Sequence, residues 1–311
     1  MKELVVVSGK GGTGKTSLVA SLATLAKPVV LADCDVDAPD LHLVLAPRIV
    51  RREDFVGGSK ARIKPGHCTA CGKCEELCRF DAIWFDGPGN GRVARTFRVD
   101  TLACEGCGVC YDFCAEDAIQ FRPEICGQWF VSETRSGPMV HARLAVAAEN
   151  SGKLVTQLRR AAQQIAQSKG LDGVICDGSP GIGCPVIASL TGASLALIAA
   201  EPTASAMHDF QRIGQLCLRL GVPALLVVNK ADLNVQVADH LEAVGREIGI
   251  EPVGRVPYDT EVTRAQIAAR SVVEVSRGPA AEAIVEIWHQ LEERLQTSLS
   301  SRGSGLVQLT G

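Results

Sequence analysis

The run Ser8-Gly9-Lys10-Gly11-Gly12-Thr13-Gly14-Lys15-Thr16 constrains this chain more than any other stretch. It follows a short apolar segment, Leu4–Val7, and opens into residues 15–26, whose apolar positions recur with helical periodicity. In that strand–loop–helix setting the pattern G-x-x-x-x-G-K-[ST] is a phosphate-binding loop. Its glycines let backbone N–H groups turn inward onto phosphate oxygens, and the helix N-terminus adds a positive dipole. Lys15 is then placed to neutralise β- and γ-phosphates, and Thr16 to set its hydroxyl on Mg²⁺. Gly11, Gly12, Thr13, Gly14, Lys15, Thr16 and Ser17 form the expected nucleotide-binding run.

The rest of the chain extends this opening. Pro28 restarts the backbone, Val29–Ala32 reads as a second strand, and Asp33–Asp40 is an acidic loop after it. Further strands are expected at 129–133, 140–144, 173–177, 195–199, 224–228 and 253–256, the first two as a hairpin around Ser136-Gly137-Pro138. Helices are expected from Asn150 or Ser151 to about Ser168, then at 185–191, 205–219, 235–248, 260–269 and 280–296. Strands alternating with helices predict an α/β fold, a mainly parallel sheet with helices on both faces. The composition agrees: 46% of the 311 residues are apolar and only 4% aromatic, the aliphatic balance of a sheet covered on both sides.

Charge narrows the function classes. A net charge of −3 carries no basic footprint for nucleic acid, and Arg51-Arg52 is followed at once by Glu53 and Asp54, as on a solvated surface. No apolar run reaches the ~18–20 residues of a membrane span, and the N-terminus leads directly into a strand, so a cytoplasmic protein without stable membrane insertion is expected. The last helix sets Ile284, Ile287, Trp288, Leu291 and Leu295 on one face and Glu286, Glu292 and Glu293 on the other. An acidic outer face fits packing on the domain rather than on a membrane. Leu299–Gly311 is expected to be a disordered tail.

Thirteen cysteines are many for a reducing compartment, where clustered thiols read as metal ligands. Eight fall into two runs, Cys68-x₂-Cys71-x₂-Cys74-x₃-Cys78 and Cys104-x₂-Cys107-x₂-Cys110-x₃-Cys114, within an internal repeat of 36 residues. Each has the bacterial ferredoxin spacing, in which the fourth cysteine serves the other cluster. The expected sets for two [4Fe-4S] clusters are Cys68, Cys71, Cys74 and Cys114 for the first, and Cys104, Cys107, Cys110 and Cys78 for the second. Zinc sites use paired C-x-x-C instead. The proline usual after the fourth cysteine is absent, with Arg79 and Ala115 in its place. This texture predicts an α+β bacterial-ferredoxin-like domain at 64–122. It interrupts a P-loop domain whose two parts are 1–63 and 123–298. Cys34, Cys126, Cys176 and Cys217 are isolated, and Cys176 and Cys217, in apolar runs, read as buried, inert thiols.

The form G-K-G-G-x-G-K-[ST] resembles the deviant P-loop of the family containing MinD, ParA, the nitrogenase iron protein and the Mrp-type cluster carriers. The resemblance covers the chain outside the insert, and the whole is similar to MinD-superfamily ATPases with an inserted ferredoxin domain. Glu149-Asn150-Ser151-Gly152-Lys153 and Glu201-Pro202-Thr203…His208-Asp209 look like segments of that group. In the family the first lysine reaches a partner's nucleotide, so the resemblance implies a homodimer on ATP binding with Lys10 crossing the interface. It implies that Asp35, with Asp37 the weaker candidate, orients the attacking water, so Lys10, Lys15 and Asp35 are the expected catalytic set. It places Asp177 with Thr16 in the Mg²⁺ shell, Gly181 at the γ-phosphate, and Asn229 of Asn229-Lys230-Ala231-Asp232 on adenine. Cys184, seven residues after Asp177, has two readings: a structural cysteine before Pro185, or an interface metal ligand like the cysteine at the matching place in the nitrogenase iron protein. The implied activity is Mg²⁺-dependent ATP hydrolysis. Three accounts of what it drives stand open: electron transfer to an unidentified protein redox acceptor, assembly or delivery of a cluster or metal cofactor to an acceptor, and a MinD/ParA-like positioning switch with redox input.

Overall fold

The computed structural model describes residues 1–145 and 151–302, with side chains up to Gln296. The chain divides into two units, Met1–Glu53 with Trp129–Arg143 and Ser151–Gly311, and Asp54–Gln128 with Leu144–Asn150. The elements begin with β1 (Lys2–Ser8), α1 (Lys15–Leu25), β2 (Val30–Asp33), α2 (Leu41–Leu45) and β3 (Arg48–Ile63). Next come α3 (Lys73–Leu77), β4 (Ile83–Gly87), β5 (Thr96–Val99), α4 (Val109–Asp112), β6 (Ile119–Thr134) and β7 (Gly137–Leu144). Then follow α5 (Ser151–Lys169), β8 (Gly173–Pro180), α6 (Cys184–Leu190), β9 (Leu195–Ala200), α7 (Ala204–Arg219) and β10 (Ala224–Asn229). The chain closes with α8 (Val235–Glu247), β11 (Glu251–Val256), α9 (Thr260–Ile267), α10 (Val272–Val275) and α11 (Pro279–Arg302).

The sheet of the first unit takes the order β11-β10-β9-β1-β8-β2-β7-β6-β3. The pairs from β11 through β7 are parallel, and β6 turns back into β7 through Arg135 and Ser136. On β1 the period of two divides the burial. Leu4 and Val6 join a core with Leu18, Leu22, Ile284 and Ile287 of α1 and α11. Val5 and Val7 point the other way and are equally buried, so this strand is covered on both faces, as parallel sheets require. The register sets Asp33 of β2 opposite Asp177 of β8, and Val6 of β1 opposite Asp177 from the other side. The carboxyl ends of β1, β2 and β8 therefore meet, the place where open α/β sheets bind ligands.

Two expectations change. No element is expected over residues 48–63, yet they form β3. It is the last strand in the order, and Arg48–Arg52 of it are exposed, so no alternation marks it. An insert is expected at 64–122, and the second compact unit takes in Asp54–Gln128 with Leu144–Asn150, since β3 and β6 each run past those expected limits. The tail expected from Leu299 is preceded by helix to Arg302; residues 303–311, like the cap candidate Asn150 and Glu149 beside it, lie outside the described residues.

The second unit carries its repeat into the backbone. Left-handed φ values recur in pairs 36 residues apart: Ala70 and Gly106 (58° and 65°), Gly72 and Gly108 (82° and 79°), Asp81 and Asp117 (50° and 47°). The Lys64 N–H donates to the Ala118 carbonyl, and the equivalent Asp100 N–H to the Ala82 carbonyl, both at 2.7 Å. Two small cores correspond residue for residue, Ala61, Ala82, Cys104 and Ile119 against Phe97, Ala118, Cys68 and Ile83. Each half thus uses residues from both repeats.

Candidate nucleotide site and cysteine cavities

In the first unit the loop between β1 and α1 closes with Gly14 at φ 82°, a conformation glycine adopts without cost. A Cβ there would stand 2.3 Å from Asn229 Nδ2, so glycine is also needed for the close approach. Asn229 Nδ2 donates to the Thr13 carbonyl at 2.7 Å. Lys15 is buried, its ammonium 2.5 Å from Asp177 Oδ1 and 3.4 Å from Asp35 Oδ2. Burial works against that charge, but Asp177 and Asp35 outweigh it, and the Lys15 pKa is raised. The Thr16 hydroxyl donates to Asp177 Oδ2 at 2.7 Å. Thr16 and Asp177, expected to share one cation, are thus brought together, and Asp35 joins them through Lys15. Asp37 is exposed and stands apart. Gly181, at φ 89°, donates its N–H to the Ser8 carbonyl at 2.8 Å.

Asp33 was not singled out in the sequence. It is fully buried, one carboxylate oxygen accepts the Asp35 N–H at 3.2 Å, and the other has no hydrogen-bond partner. Burial first, and then the Asp177 charge, push it well above the usual carboxylate range; burial raises Asp35 too. The Thr13 hydroxyl in the loop is likewise buried without a partner.

Lys10 does not point into this cluster. Its ammonium sits 2.8 Å from Glu201 Oε1 and donates to Thr203 and Ser205 hydroxyls at 3.2 and 3.3 Å. Glu201 also holds Lys230 at 3.2 Å, and Lys230 donates to the Gly12 carbonyl at 3.0 Å. Burial opposes the Glu201 charge, but these two lysines hold its pKa below the ordinary value. Beside the loop lies an open cavity lined by Gly12, Gly14, Ser17, Asn229 and Lys230 together with Pro257, Tyr258 and Asp259. The last three follow β11, and sequence reasoning missed them. Their one signal was position, the carboxyl end of a parallel strand. Asp232 of the Asn-Lys-x-Asp run is turned away, its Oδ1 accepting the Tyr258 N–H at 2.6 Å.

In the second unit the eight clustered cysteines line two cavities. One has Cys68, Cys71, Cys74 and Cys114 in its wall with Ile63, Phe97 and Ile119. The other has Cys104, Cys107, Cys110 and Cys78 with Ala61, Phe80 and Val99. Each draws three cysteines from one run and the fourth from the other. The walls are mostly apolar, and burial pushes the Cys74 and Cys110 thiols up to about 11. Cys114 Sγ accepts the Ala118 N–H at 3.3 Å, and Lys60 donates to the Cys104 carbonyl.

Cys176 and Cys217, in apolar runs, are buried, as are Cys34 and Cys126, whereas Cys184 is exposed at the first residue of α6. Among the described residues no group of three or more His, Cys, Asp or Glu converges as a site for a single metal ion. Among the same residues no helix is long and apolar enough to cross a membrane.

A glycine loop between a parallel strand and a helix, with Lys15, Thr16 and Asp177 converging at its mouth, defines the class of P-loop nucleotide-binding proteins. The family model for the CobQ/CobB/MinD/ParA nucleotide binding domain matches residues 4–272, and the chain belongs to that family of MinD/ParA-type P-loop ATPases. Two proteins of Methanocaldococcus jannaschii, each described only as uncharacterized, are 31% and 24% identical to it. The first alignment spans 94% of this chain and 96% of the relative, the second 74% and 81%. Among solved structures it is similar in fold to the septum site-determining protein MinD of Pyrococcus horikoshii with Mg-ADP (TM-score 0.57, 14% identity, 96% of this chain and 98% of the other). It is likewise similar to MinD of Aquifex aeolicus (0.56, 19%, 94% and 98%) and to a ParA family ATPase of Chlorobium tepidum (0.54, 18%, 93% and 98%).

Proposed function

We propose that this protein is a Mg²⁺-dependent ATPase whose second unit holds two [4Fe-4S] clusters, and that ATP turnover in a homodimer is coupled to electron transfer to a partner protein. The observation that carries the redox half is the pair of cysteine cavities, with their exchanged fourth cysteines. A cubane takes one thiolate per iron at its corners, so its ligands stand apart around a pocket rather than converging on one point, and an apolar wall with the Ala118 N–H donating to Cys114 Sγ suits it. Cys68, Cys71, Cys74 and Cys114 would hold one cluster, and Cys104, Cys107, Cys110 and Cys78 the other. The clusters supply reversible one-electron storage.

For the ATPase half, Gly11–Ser17 would wrap the phosphates. Thr16 and Asp177, already 2.7 Å apart, would bind within one Mg²⁺ shell, directly or through water. Lys15 would leave its carboxylates for the β- and γ-phosphates, where a buried cation counts most. Asp35 would then be released to orient water in line with the γ-phosphate, positioning being the main task in phosphoryl transfer. The cavity beside the loop would take the nucleoside. Asn229, at the edge of that cavity, would contact the base, which the family likeness makes adenine. Lys10 would cross to the partner's nucleotide.

An anaerobic EPR redox titration, with MgADP and then with a non-hydrolysable ATP analogue, tests the coupling. Coupling is reciprocal, so a nucleotide-dependent potential must be matched by redox-dependent nucleotide affinity. Identical potentials in both states would leave the clusters as a passive relay and turn the reading to cofactor delivery. The exposed Cys184 belongs to that second reading. There, Cys184→Ser lowers the iron content of the nucleotide-bound dimer, and unchanged iron removes the role.

A further inference from the structure

The pseudo-twofold repeat gives each rim position of one cysteine cavity a counterpart on the other, so differences between them are not dictated by the fold. At the cavity of Cys78, Cys104, Cys107 and Cys110 the wall includes Phe80 and Val109. Their counterparts at the other cavity are Glu116 and Lys73. Tyr111, stacked on Phe121 at 5.9 Å, corresponds to Glu75. Two apolar groups in one wall thus stand where the other has a carboxylate and an ammonium, and Tyr111, on the same short helix as Val109, stands where the other half has Glu75. Phe80, Val109 and Tyr111 are 44%, 36% and 43% exposed. Clustered exposed apolar side chains are unfavourable unless something uses them, and aromatic residues of this kind anchor protein interfaces.

Charge indicates the partner. Asp81 adjoins Phe80, Asp112 adjoins Tyr111, and Glu105 lines the same cavity; all three are exposed. Arg79 is the one exposed cation directly beside these groups in sequence, and Lys60 is half-buried and turned onto the Cys104 carbonyl. The rim is apolar at the centre and acidic around it, complementary to an apolar patch ringed by Lys and Arg.

Resting on the cluster reading above, we infer that the Phe80–Val109–Tyr111 rim is the docking surface for a basic, one-electron redox protein, and that electrons leave through the Cys78/Cys104/Cys107/Cys110 cavity rather than its twin. One electron passes per encounter: the reduced iron–sulfur centre is oxidised by one electron and the partner's acceptor centre is reduced by one.

The full-length protein with its clusters is the test material, and its iron and sulfide contents are measured first. Absence of [4Fe-4S] signatures would overturn the cluster reading itself. With clusters present, the dithionite-reduced protein is mixed in a stopped-flow instrument with ferric cytochrome c, a basic one-electron acceptor, and ferrous haem is followed. Affinity is measured separately by calorimetry with both proteins oxidised, so no electron moves. Phe80→Glu and Tyr111→Ser are each expected to lower the second-order rate and the affinity about tenfold or more. Glu116→Gln at the twin rim changes both less than about twofold, and added salt slows the wild type. Both are exposed positions, and unchanged iron content checks that the unit is intact. Equal rates for wild type and both rim variants with clusters retained would overturn the docking proposal while leaving the clusters standing. So would self-association of this chain that Phe80→Glu abolishes without any change in the transfer rate.

Discussion

If Lys10 must reach a partner's nucleotide, its present contacts oppose dimer formation. The ammonium is tied to Glu201 at 2.8 Å and to two hydroxyls, and these must break in both protomers. A half-exposed ion pair is worth about 0.2–1 kcal/mol. Two copies lost on symmetric association cost about 0.4–2 kcal/mol, a factor of roughly 2–30 in the dimer constant. Glu201→Gln keeps the hydrogen-bond acceptor and removes the charge. The expected result is a dimer tighter by that factor in sedimentation with a non-hydrolysable ATP analogue, and unaltered behaviour without nucleotide. Lys10→Ala in the same assay loses the nucleotide-dependent dimer. A Glu201→Gln dimer as weak as wild type or weaker would refute the reasoning, because it would mean that Glu201 positions Lys10 for its task instead of restraining it.

Three further outcomes follow from the geometry. With the proposed clusters in the two cavities, Cys114→Ser should impair the one of Cys68, Cys71 and Cys74 rather than that of its own run, leaving the one of Cys104, Cys107, Cys110 and Cys78 intact, read as separate signals in EPR. His141 is buried against Ser132 at 2.8 Å, and burial, with His42 and Arg143 adding, pushes its pKa from 6.5 down to about 4. Its neutral form stabilises the fold fully above pH 6.5, and that contribution is lost as pH falls towards 4, reaching about 2 kcal/mol at pH 5. Urea midpoints for wild type and His141→Gln at pH 7 and pH 5 measure it, the variant showing the smaller fall. Gly106→Ala should cost about 1–2 kcal/mol for the left-handed backbone, and more for the contact, since its Cβ would stand 2.2 Å from the Ser59 carbonyl oxygen. Thermal midpoint and iron content report it, whereas Ala70→Gly at the equivalent position leaves both nearly unchanged.

That last contrast shows where sequence reading ends. The paired cysteine runs announced the repeat, and Ala70 and Gly106 do share one backbone conformation. The reason only the second must be glycine is the Ser59 carbonyl, 47 residues away, which no local pattern encodes. The phosphate loop was legible for the same reason the cysteine runs were, because its chemistry is carried by contiguous residues. Asp33 was not, because its meeting with Asp177 is created by the β2–β8 register, nor was Glu201, which reaches Lys10 only through the β1–β9 pairing that sets the ends of those strands together. β3 left little trace because Arg48–Arg52 at its start are all exposed and Gly57-Gly58 cut short the alternation around the buried Phe55, leaving no run of strand length to reveal it. The Asn229-Lys230-Ala231-Asp232 run is the instructive case. Its spelling points as easily to guanine as to adenine, and the direction of its carboxylate is set by one hydrogen bond, from the Tyr258 N–H to Asp232 Oδ1 at 2.6 Å, made by a loop beyond a different strand. The four residues of the motif carry no sign of that tether, because it depends on where β11 delivers the chain beside β10.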